Sequence, residues 1–446
     1  YLPRLVSGEW TGTMNLTEPQ AGSDLAALTT MATPDGDGGW KITGQKIFIT
    51  WGDHDAADNI VHLVLARTPD APPGVKGVSL FLAPKVLVDE DGKLGEANAL
   101  RVGGLEHKLG IHGSPTCVML FEGAKAELVG GLGQGLPNMF VMMNAARLQV
   151  GAQGVAIAER AYQQALHFSQ ERVQGRSAWT GAYPSRLFDH PDVRRSLVLM
   201  KAHIEAARGI CLSTAVAADL SRAAADEATR ASAKLREELL TPIAKAWSTD
   251  VGVWVASQGV QIHGGMGFIE ETGAAQHLRD ARITTIYEGT TGIQANDLIG
   301  RKVLRDGGRS MQALLSQIDA VCEQLEAGDD AQLHAIGARL REGSKSLADS
   351  VRWILATGMQ DLNAVLAGAV PFLHLCGVVC GGWQMGRAAL AAQRKLAAGD
   401  GDAAFYRAKV ATARFFADQD LSRARGLAEA TMHAGASTMA LAEEQF

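Results

Sequence analysis

The sequence predicts an α+β protein: an antiparallel β-barrel or sandwich domain, then a helical bundle domain, then an additional C-terminal helical domain. The first 128 residues contain short apolar runs separated by Gly, Pro, Asp and Asn, which is typical of strands and turns. Later stretches are long and rich in Ala, Leu, Glu, Arg and Gln, which favour helix. The length of 446 residues exceeds the usual size of one hydrophobic core, so several domains are expected.

The first predicted domain, residues 1–128, is the β-domain. Its apolar runs read WKITGQKIFIT, NIVHLVLAR, GVSLFLAPKVLV and CVMLFEG. Trp40, Ile42 and Gly44 alternate with polar side chains, which is the period of a half-buried antiparallel strand. No helix-length periodic segment interrupts these runs. The pattern therefore predicts a barrel or sandwich.

The second predicted domain, residues 129–300, begins at the glycine-rich linker VGGLGQGLPN. Its helix-forming stretches begin at NMFVMM, VRRSLVLM and TPIAKAW, and apolar residues recur in them at spacings of three and four. This pattern predicts a helical bundle. The third predicted domain, residues 301–446, is again helical, and its helical stretch begins after the linker RDGGRS.

Composition excludes several classes of protein. With 47% apolar and 20% charged residues the chain is an ordinary globular protein, and a net charge of -6 without a dense Lys/Arg run argues against a nucleic-acid partner. The 5 cysteines are scattered, which predicts neither a disulfide framework nor a metal site. The first residues, YLPRLVSGEW, lack a charged n-region and an apolar h-region, so they are not expected to be a signal peptide. We therefore expect a reducing, cytoplasmic compartment.

The segment Asn363–Trp383 has no charged residue and approaches the length that a bilayer requires. Pro371 and His374 lie near its middle, glycines and alanines make it weakly apolar, and no basic cluster flanks it. The segment is therefore predicted to be a helix buried in a helical domain rather than a membrane span.

Two segments of the β-domain contain candidate ligand contacts. In MNLTEPQAGSDL, Pro and Gly fix a loop in which Thr17, Ser23 and exposed amides can bind a polar ligand. In KIFITWGD, a strand places the aromatic ring of Phe48 and the hydroxyl of Thr50 on one face. Taken alone, the first segment has an ordinary turn as its alternative. The second, taken alone, is better explained as a plain core strand.

Two segments of the helical bundle contain further candidates. QIHGGMGF lies at a predicted helix-to-loop transition, where glycines allow close backbone approach and amides can bind phosphate. It lacks the strand-then-helix setting of a Rossmann motif. In RDARITTIYEGTTGIQ, Glu288 lies among apolar residues, which raises a carboxylate pKa toward the range of a general base. A helix-capping role for this Glu is an equal alternative.

Taken in this order, these segments resemble the acyl-CoA dehydrogenase family over residues 1–301. EHKLGIHGSPTC and the helical extension add a likeness to the subgroup that includes 3-methylmercaptopropionyl-CoA dehydrogenases. The resemblance implies an FAD-dependent enzyme that converts an acyl-CoA thioester to a trans-2-enoyl-CoA. In this reaction the base removes the α-proton of the thioester, while the β-hydrogen leaves as a hydride to the flavin. It further implies a homo-oligomer, dimer or tetramer, and electron-transfer flavoprotein or a similar electron acceptor.

The resemblance also implies roles for individual residues. Glu288 is the catalytic base, and the substrate contacts are Ser23, Arg147, Tyr287 and Gly289. The expected FAD contacts are Leu16, Thr17, Gly22, Ser23, Phe48, Thr50, Arg172, Gln261, Gly264, Gly265 and Thr290. Of these, the glycine segment at 261–265 is expected to contact the FAD of a neighbouring subunit.

The chain departs from the family pattern in two places. The resemblance implies a helical domain ahead of TEPQAGSD, and we expect this domain to be absent here. Either the sequence is then a fragment, or another polypeptide supplies that wall of the acyl pocket. ERVQGR lacks the phenylalanine expected beside the adenine. His263 is expected to be buried and hydrogen-bonded rather than catalytic. An acyl-CoA oxidase and a non-catalytic flavoprotein or assembly subunit remain alternatives.

Overall fold

The computed structural model describes all 446 residues and divides into two compact units, residues 1–145 and 146–446. The first unit is built mainly from strands and the second from helices. Each unit has its own buried apolar cluster. The predicted α+β class is therefore confirmed.

The first unit begins with a short helix, α1 (Leu2–Ser7), and contains nine strands. These strands are β1 (Trp10–Asn15), β2 (Met31–Pro34), β3 (Trp40–Thr50), β4 (Asn59–Arg67), β5 (Val78–Pro84), β6 (Val86–Val88), β7 (Leu94–Ala97), β8 (Leu100–Leu105) and β9 (Thr116–Leu128). Strands β6 and β7 form a separate two-stranded sheet.

The main sheet closes on itself. Strands β4, β2, β3, β9 and β5 are neighbours in that order, and β5 also pairs with β4, so the ring is complete. The expectation of an antiparallel sheet is wrong at two pairings. Strand β1 pairs in parallel with β4 from Trp10↔Asn59 to Asn15↔Val64, and β2 meets β4 in parallel at Met31↔Arg67. A parallel pair requires a long crossover, and the chain containing β2 and β3 supplies it.

The core of this barrel follows the alternation seen in the sequence. Ile42 is fully buried, whereas its neighbours Lys41 and Thr43 are exposed. Ile42 belongs to one buried cluster with Phe81 and Phe121, which lie on β5 and β9. The period-two pattern therefore identified the inward face of β3 correctly over its first half.

The second unit is helical. Its helices are α2 (Gly135–Glu171, which begins in the first unit), α3 (Pro191–Ala223), α4 (Glu227–His263), α5 (Ala274–Arg282), α6 (Thr291–Asp297), α7 (Arg309–Glu326), α8 (Ala331–Thr357), α9 (Leu362–Ala367), α10 (Ala369–Ala398), α11 (Ala403–Gln419) and α12 (Ala424–Thr438). A π-helical segment, Leu298–Leu304, continues α6.

The predicted breaks in the bundle were partly misplaced. The stretch that begins at VRRSLVLM is interrupted between α3 and α4, where the Asp226 side chain accepts the amide of Thr229 at 2.7 Å and caps α4. Conversely, α4 continues through Pro242. Proline removes one backbone donor from a helix. Residues 239–249 are nonetheless buried, and their packing maintains the helix.

The charge-poor segment Asn363–Trp383 is buried in the helical unit, as predicted. It is not one helix, because α9 ends before Gly368 and α10 begins after it. A Cβ at Gly368 would lie 2.1 Å from the carbonyl oxygen of Thr431, so glycine allows α12 to approach here. None of the helices has both the length and the apolar character needed to cross a bilayer.

Candidate active site

A buried ion pair fixes the loop that follows β1. Lys46 Nζ lies 2.8 Å from Glu18 Oε1 and 3.0 Å from the carbonyl oxygen of Leu16. Both charged side chains are buried. The amide of Ile47 donates to the carbonyl of Thr17 at 2.9 Å. Residues 16–18 are therefore held against β3 by side-chain and backbone bonds.

Glu18 is ionised in this environment. Its carboxylate accepts the amide of Thr29 at 2.8 Å and the amide of Thr30 at 3.1 Å. Burial raises the pKa of Glu18, but the attraction to Lys46 and these hydrogen bonds outweigh burial and bring the pKa to about 2. A carboxylate with so low a pKa is a poor general base, so its role is structural.

The loop presents the predicted ligand contacts of the first unit. Thr17 is half-buried, and Gly22 and Ser23 are exposed. A Cβ built on Gly22 would meet nothing within 4 Å, so the backbone is open to a ligand at this point. These residues lie in one loop, as the sequence predicted, and their contacts to a cofactor stay a prediction.

The end of β3 departs from regular strand geometry. Phe48 has φ 60° and Trp51 has φ 52°, and the pairing with β9 shifts between Lys46 and Ile49. Non-glycine residues in the left-handed region are uncommon and often mark functional sites. Phe48 is 59% exposed and Thr50 is also exposed. The bulge therefore presents an aromatic ring and a hydroxyl outward.

In the second unit, Glu288 lies in the connection that leads into α6. It has φ 56°, and the following Gly289 has φ 89°. Thr290 is the N-cap of α6, since its hydroxyl oxygen accepts the amide of Ile293 at 3.2 Å. Helix capping is thus performed by Thr290, and the capping alternative for Glu288 is wrong.

The Glu288 carboxylate is partly buried, and its Oε2 atom is inaccessible to solvent and has no hydrogen-bond partner within the protein. Burial raises the pKa of this carboxyl group, while the nearby charges of Arg147 and Lys245 lower it. The net direction is upward. An unsatisfied buried oxygen on a carboxylate of raised pKa is well suited to accept a proton.

Arg147 is a buried neighbour of this group. Its Nη1 lies 3.4 Å from Asp297 Oδ2, and Asp297 also faces Arg301. Burial lowers the pKa of Arg147, and the charges of Asp297 and Glu288 raise it. A guanidinium remains charged under all ordinary conditions. Arg147 is thus a fixed positive charge beside Glu288, and its predicted contact with CoA stays a prediction.

Tyr287 precedes the base and is anchored by its hydroxyl, which donates to Gln153 Oε1. Burial and the Glu288 charge raise the pKa of Tyr287, so the phenol is neutral. The anchor connects the loop to α2. Its predicted place in the acyl pocket, like that of Gly289, stays a prediction.

The glycine segment lies where α4 ends. Gly264 has φ 60°, and a Cβ on either Gly264 or Gly265 would meet nothing within 4 Å. Gln261, in the last turn of α4, is exposed, and Phe268 is 84% exposed. His263 is buried, and its Nδ1 lies 2.7 Å from the carbonyl oxygen of Gly259. Its imidazole also stacks on a neighbouring phenyl ring. The prediction of a buried, hydrogen-bonded histidine is confirmed.

Arg172 lies just beyond α2 and is exposed. Its Nη2 donates to Gln174 Oε1 at 3.4 Å. Most of the guanidinium donors are therefore open to solvent and can donate hydrogen bonds to a phosphate group. The predicted contact with the pyrophosphate stays a prediction.

An open cleft of about 720 Å³ lies in the helical unit. It is lined by Trp254, Thr290, Asp250 and His374, among others, but not by Glu288. Thr291 donates its hydroxyl hydrogen to Asp250 Oδ1 at 3.2 Å, and His374 Nε2 lies 3.5 Å from Asp250 Oδ2. Of the predicted site residues, this cleft therefore contains only Thr290.

Matches to family models cover most of the chain. Residues 13–124 match the acyl-CoA dehydrogenase middle domain, residues 133–304 the acyl-CoA dehydrogenase C-terminal domain, and residues 314–442 the acetyl-CoA dehydrogenase C-terminal-like model. The protein is also 53% identical to 3-methylmercaptopropionyl-CoA dehydrogenase of Ruegeria pomeroyi, over 94% of this chain and 71% of that protein. The chain belongs to the acyl-CoA dehydrogenase family. Members of this family are FAD-dependent oxidoreductases.

Solved structures share the fold. An acyl-CoA dehydrogenase from Bacillus anthracis complexed with FAD aligns with a TM-score of 0.77 at 23% identity, over 98% of this chain and 71% of that one. A chain in a structure of the electron transferring flavoprotein of Acidaminococcus fermentans aligns with a TM-score of 0.53 at 30% identity, over 66% of this chain and 68% of that one.

The residues present fit the cofactor of the acyl-CoA dehydrogenase family. In the first unit, the exposed ring of Phe48 offers an apolar surface and the hydroxyl of Thr50 offers a hydrogen bond. In the second, Gly264 and Gly265 leave the space in which a Cβ would otherwise lie, so their amides are open to a phosphate group. Each unit thus provides chemistry suited to one part of FAD.

Two pairs of buried residues escaped the sequence predictions as site residues. Lys46 has the same phase in β3 as Trp40, Ile42 and Gly44, which places its side chain inward. A buried charge needs a partner, so the sequence pattern could have indicated a buried ion pair here. Lys245 is the only charged residue between Glu238 and Asp250, within a fully buried part of α4. Only the fold identifies Glu18 as the partner of Lys46. Likewise, only the fold shows that Lys245 and Gln294 bond neighbouring carbonyls, those of Gly289 and Glu288.

Proposed function

We propose that this chain catalyses the FAD-dependent α,β-dehydrogenation of an acyl-CoA thioester to the trans-2-enoyl-CoA, with Glu288 as the base that removes the α-proton. One observation carries the proposal: Oε2 of Glu288 is buried, has no partner in the protein and belongs to a carboxyl group of raised pKa. Membership of the acyl-CoA dehydrogenase family supports the reaction class.

The protein's own groups account for proton removal. The raised pKa of Glu288 strengthens it as a base, and the nearby charges of Arg147 and Lys245 favour its ionised form before the reaction. A thioester α-proton becomes acidic enough only when hydrogen bonds stabilise the developing enolate oxygen. We expect the backbone amide of Glu288 to be one such donor. Tyr287, anchored to Gln153, is expected to border the acyl chain.

The cofactor site is proposed to span two subunits of a homo-oligomer. FAD, when bound, supplies the acceptor for the two electrons that leave with the β-hydrogen. The residues proposed to hold it from one subunit are Leu16, Thr17, Gly22, Ser23, Phe48, Thr50, Arg172 and Thr290. The neighbouring subunit is proposed to contribute Gln261, Gly264 and Gly265, whose open backbone and exposed surroundings support an intersubunit contact.

We propose acyl-CoA as the substrate and electron-transfer flavoprotein as the electron acceptor. The name of the relative from Ruegeria pomeroyi supports a short, sulfur-containing acyl group as the first substrate to assay. The similarity to a chain in the Acidaminococcus fermentans structure supports the acceptor. Ser23 and Arg147 are proposed CoA contacts.

The test is flavin bleaching by acyl-CoA thioesters under anaerobic conditions. The panel contains 3-methylmercaptopropionyl-CoA and straight-chain acyl-CoAs of increasing length. We expect Glu288→Gln to retain its flavin and lose bleaching, because the change is nearly isosteric and removes only the base. Glu342→Gln, which alters an exposed carboxylate paired with Arg339, is the control and should bleach normally. Near-normal turnover by Glu288→Gln would refute the assignment of the base.

The same purified protein and thioesters, now also mixed in air, separate the alternatives. Stoichiometric hydrogen peroxide in air would assign an acyl-CoA oxidase rather than a dehydrogenase. Purified protein that carries no flavin and bleaches with no thioester would assign a non-catalytic subunit. Reduction of added electron-transfer flavoprotein by the bleached enzyme is the result that we expect.

A further inference from the structure

We propose that Lys245 and Gln294 are positioning residues that hold the backbone of Glu288 and Gly289 and thereby fix the direction of the Glu288 carboxylate. Gln294 Nε2 donates to the carbonyl oxygen of Glu288 at 2.9 Å. Lys245 Nζ donates to the carbonyl oxygen of Gly289 at 2.7 Å. Two consecutive carbonyls are thus held by side chains. The inference rests on the proposed role of Glu288 as the base.

The loop needs such support because its conformation is unusual. Glu288 at φ 56° and Gly289 at φ 89° are consecutive residues with positive φ. A side chain such as that of glutamate rarely adopts this region, and such conformations persist only where the surroundings enforce them. The two carbonyl bonds are therefore the local restraint on a strained segment whose side chain is the proposed base.

Burial makes this restraint rigid. Lys245 and Gln294 are both fully buried. An ammonium group loses much hydration in such a site, and the hydrogen bond that the structure gives Lys245 is to a backbone carbonyl rather than to a carboxylate. Burial accordingly lowers the pKa of Lys245 to about 8. A lysine held in this way acts on the position and charge of the loop instead of joining a surface ion pair.

The fit around Gly289 supports the same interpretation. A Cβ at this position would lie 2.6 Å from Gln294 Nε2. Glycine thus allows the amide of Gln294 to approach the backbone closely. Gln294 lies on α6, whose N-cap is Thr290, and Lys245 lies on α4, so side chains from two different helices restrain the loop.

Lys245 also influences the charge of the base. The charged and titratable groups that act on Glu288 are Arg147 of α2, Lys245 of α4 and the neighbouring Tyr287. Those that act on Lys245 are Asp250 and Glu288, which raise its pKa, and Arg147, which lowers it. Removing the lysine charge removes an interaction that lowers the pKa of Glu288. The pKa of the base should then rise.

The experiment compares Lys245→Met and Gln294→Leu with the wild type by rapid-mixing flavin reduction, using the thioester that reduces the wild type fastest. We expect both variants to retain flavin and bind the thioester with little change in apparent affinity, while the reduction rate falls about tenfold to a hundredfold. In Lys245→Met we expect the acid limb of the profile of reduction rate against pH to move to higher pH. In Gln294→Leu it stays in place, because no charge is lost.

The control is Lys302→Met. Lys302 Nζ lies 3.2 Å from Glu238 and its side chain is only 20% exposed, so the change removes a comparable partly buried cation elsewhere in the unit. It should leave both the rate and the pH profile unchanged. An equal shift of the acid limb in this control would show a general charge effect and overturn the proposal.

Other outcomes also decide the question. Wild-type rates and an unmoved acid limb in Lys245→Met would overturn the proposal. If Lys245→Met does not fold, Gln294→Leu still tests the restraint, and a wild-type rate in that variant overturns it. Loss of flavin from both variants would assign them a purely structural role. Failure of the proposed base is recognised separately, by retained turnover in Glu288→Gln.

Discussion

Lys46 Nζ lies 2.8 Å from Glu18 Oε1, and both side chains are buried in the β-unit. The same ammonium bonds the carbonyl of Leu16. One lysine on β3 therefore fixes the loop that contains Thr17 and Ser23. Lys245 holds the carbonyl of Gly289 in the helical unit in a comparable way. In each unit a buried lysine restrains a loop that the sequence had marked as functional.

Replacing Lys46 should disrupt both stability and flavin binding. Lys46→Met leaves the Glu18 carboxylate buried without its cation, and breaking a buried pair in this way costs about 3–5 kcal/mol. The loop at residues 16–18 also loses its anchor. We expect a lower urea midpoint and loss of bound flavin, measured by unfolding curves and by the absorbance of the purified protein.

Lys93→Met is the matched control for this change. Lys93 Nζ lies 3.8 Å from Asp91 Oδ2, and both side chains are highly exposed. Surface ion pairs of this kind contribute about 0–1 kcal/mol to the free energy of unfolding. Flavin content and the urea midpoint should remain close to the wild-type values. If Lys46→Met behaved like Lys93→Met, the buried pair would not be what holds the loop.

The Glu18 pair should also contribute to acid sensitivity. The folded-state pKa of Glu18, about 2, lies below its ordinary value of 4.5. The stabilisation is therefore fully present above pH 4.5 and is lost as the pH falls toward 2. The suitable reference is the double variant Glu18→Gln/Lys46→Met, which lacks both charges. We expect the slope of unfolding free energy against pH below 4.5 to be steeper in the wild type. Equal slopes would contradict the lowered pKa.

Sequence patterns predicted the β-unit well where side chains alternate regularly. Ile42 lies inward because of its phase in β3, and the same phase places Lys46 inward. The bulge at Phe48 could not be predicted, because its left-handed backbone depends on how β3 meets β9. The parallel pairing of β1 was missed for a similar reason. Strand direction is set by the closure of the barrel rather than by local composition.

In the helical unit the sequence identified Glu288 but not its restraints. The apolar neighbours of Glu288 correctly indicated a raised pKa. Lys245 is distant from it in sequence, and only the packing of α4 against the loop brings their charges close enough to interact. The helix-forming stretch predicted to begin at Thr241 likewise proves to be part of a longer helix, because tertiary burial keeps α4 continuous through Pro242. Local patterns therefore define elements, whereas the relation between distant side chains requires the fold.

The backbone at the proposed base should be sensitive to a single methyl group. Gly289→Ala introduces a Cβ 2.6 Å from Gln294 Nε2 at φ 89°, where alanine is strained by about 1–2 kcal/mol. We expect the rate of flavin reduction to fall at least about tenfold while flavin remains bound. Gly300→Ala is the control, because its Cβ would meet nothing within 4 Å and its φ is not positive. Equal reduction rates in the two variants would refute the idea that this backbone is restrained.

Packing of α10 against α4 provides an independent test of the fold. A Cβ at Gly377 would lie 2.2 Å from Cγ of Trp247, which is itself buried. Gly377→Ala must therefore displace the indole or the helix, and overpacking of this kind costs about 1–3 kcal/mol. Gly426→Ala, on α12, places its Cβ in open space and should be neutral or stabilising by about 0.5–1 kcal/mol, because alanine favours helix. Urea unfolding measures both variants. If Gly377→Ala were as stable as Gly426→Ala, the glycine at position 377 would not be explained by close approach to Trp247.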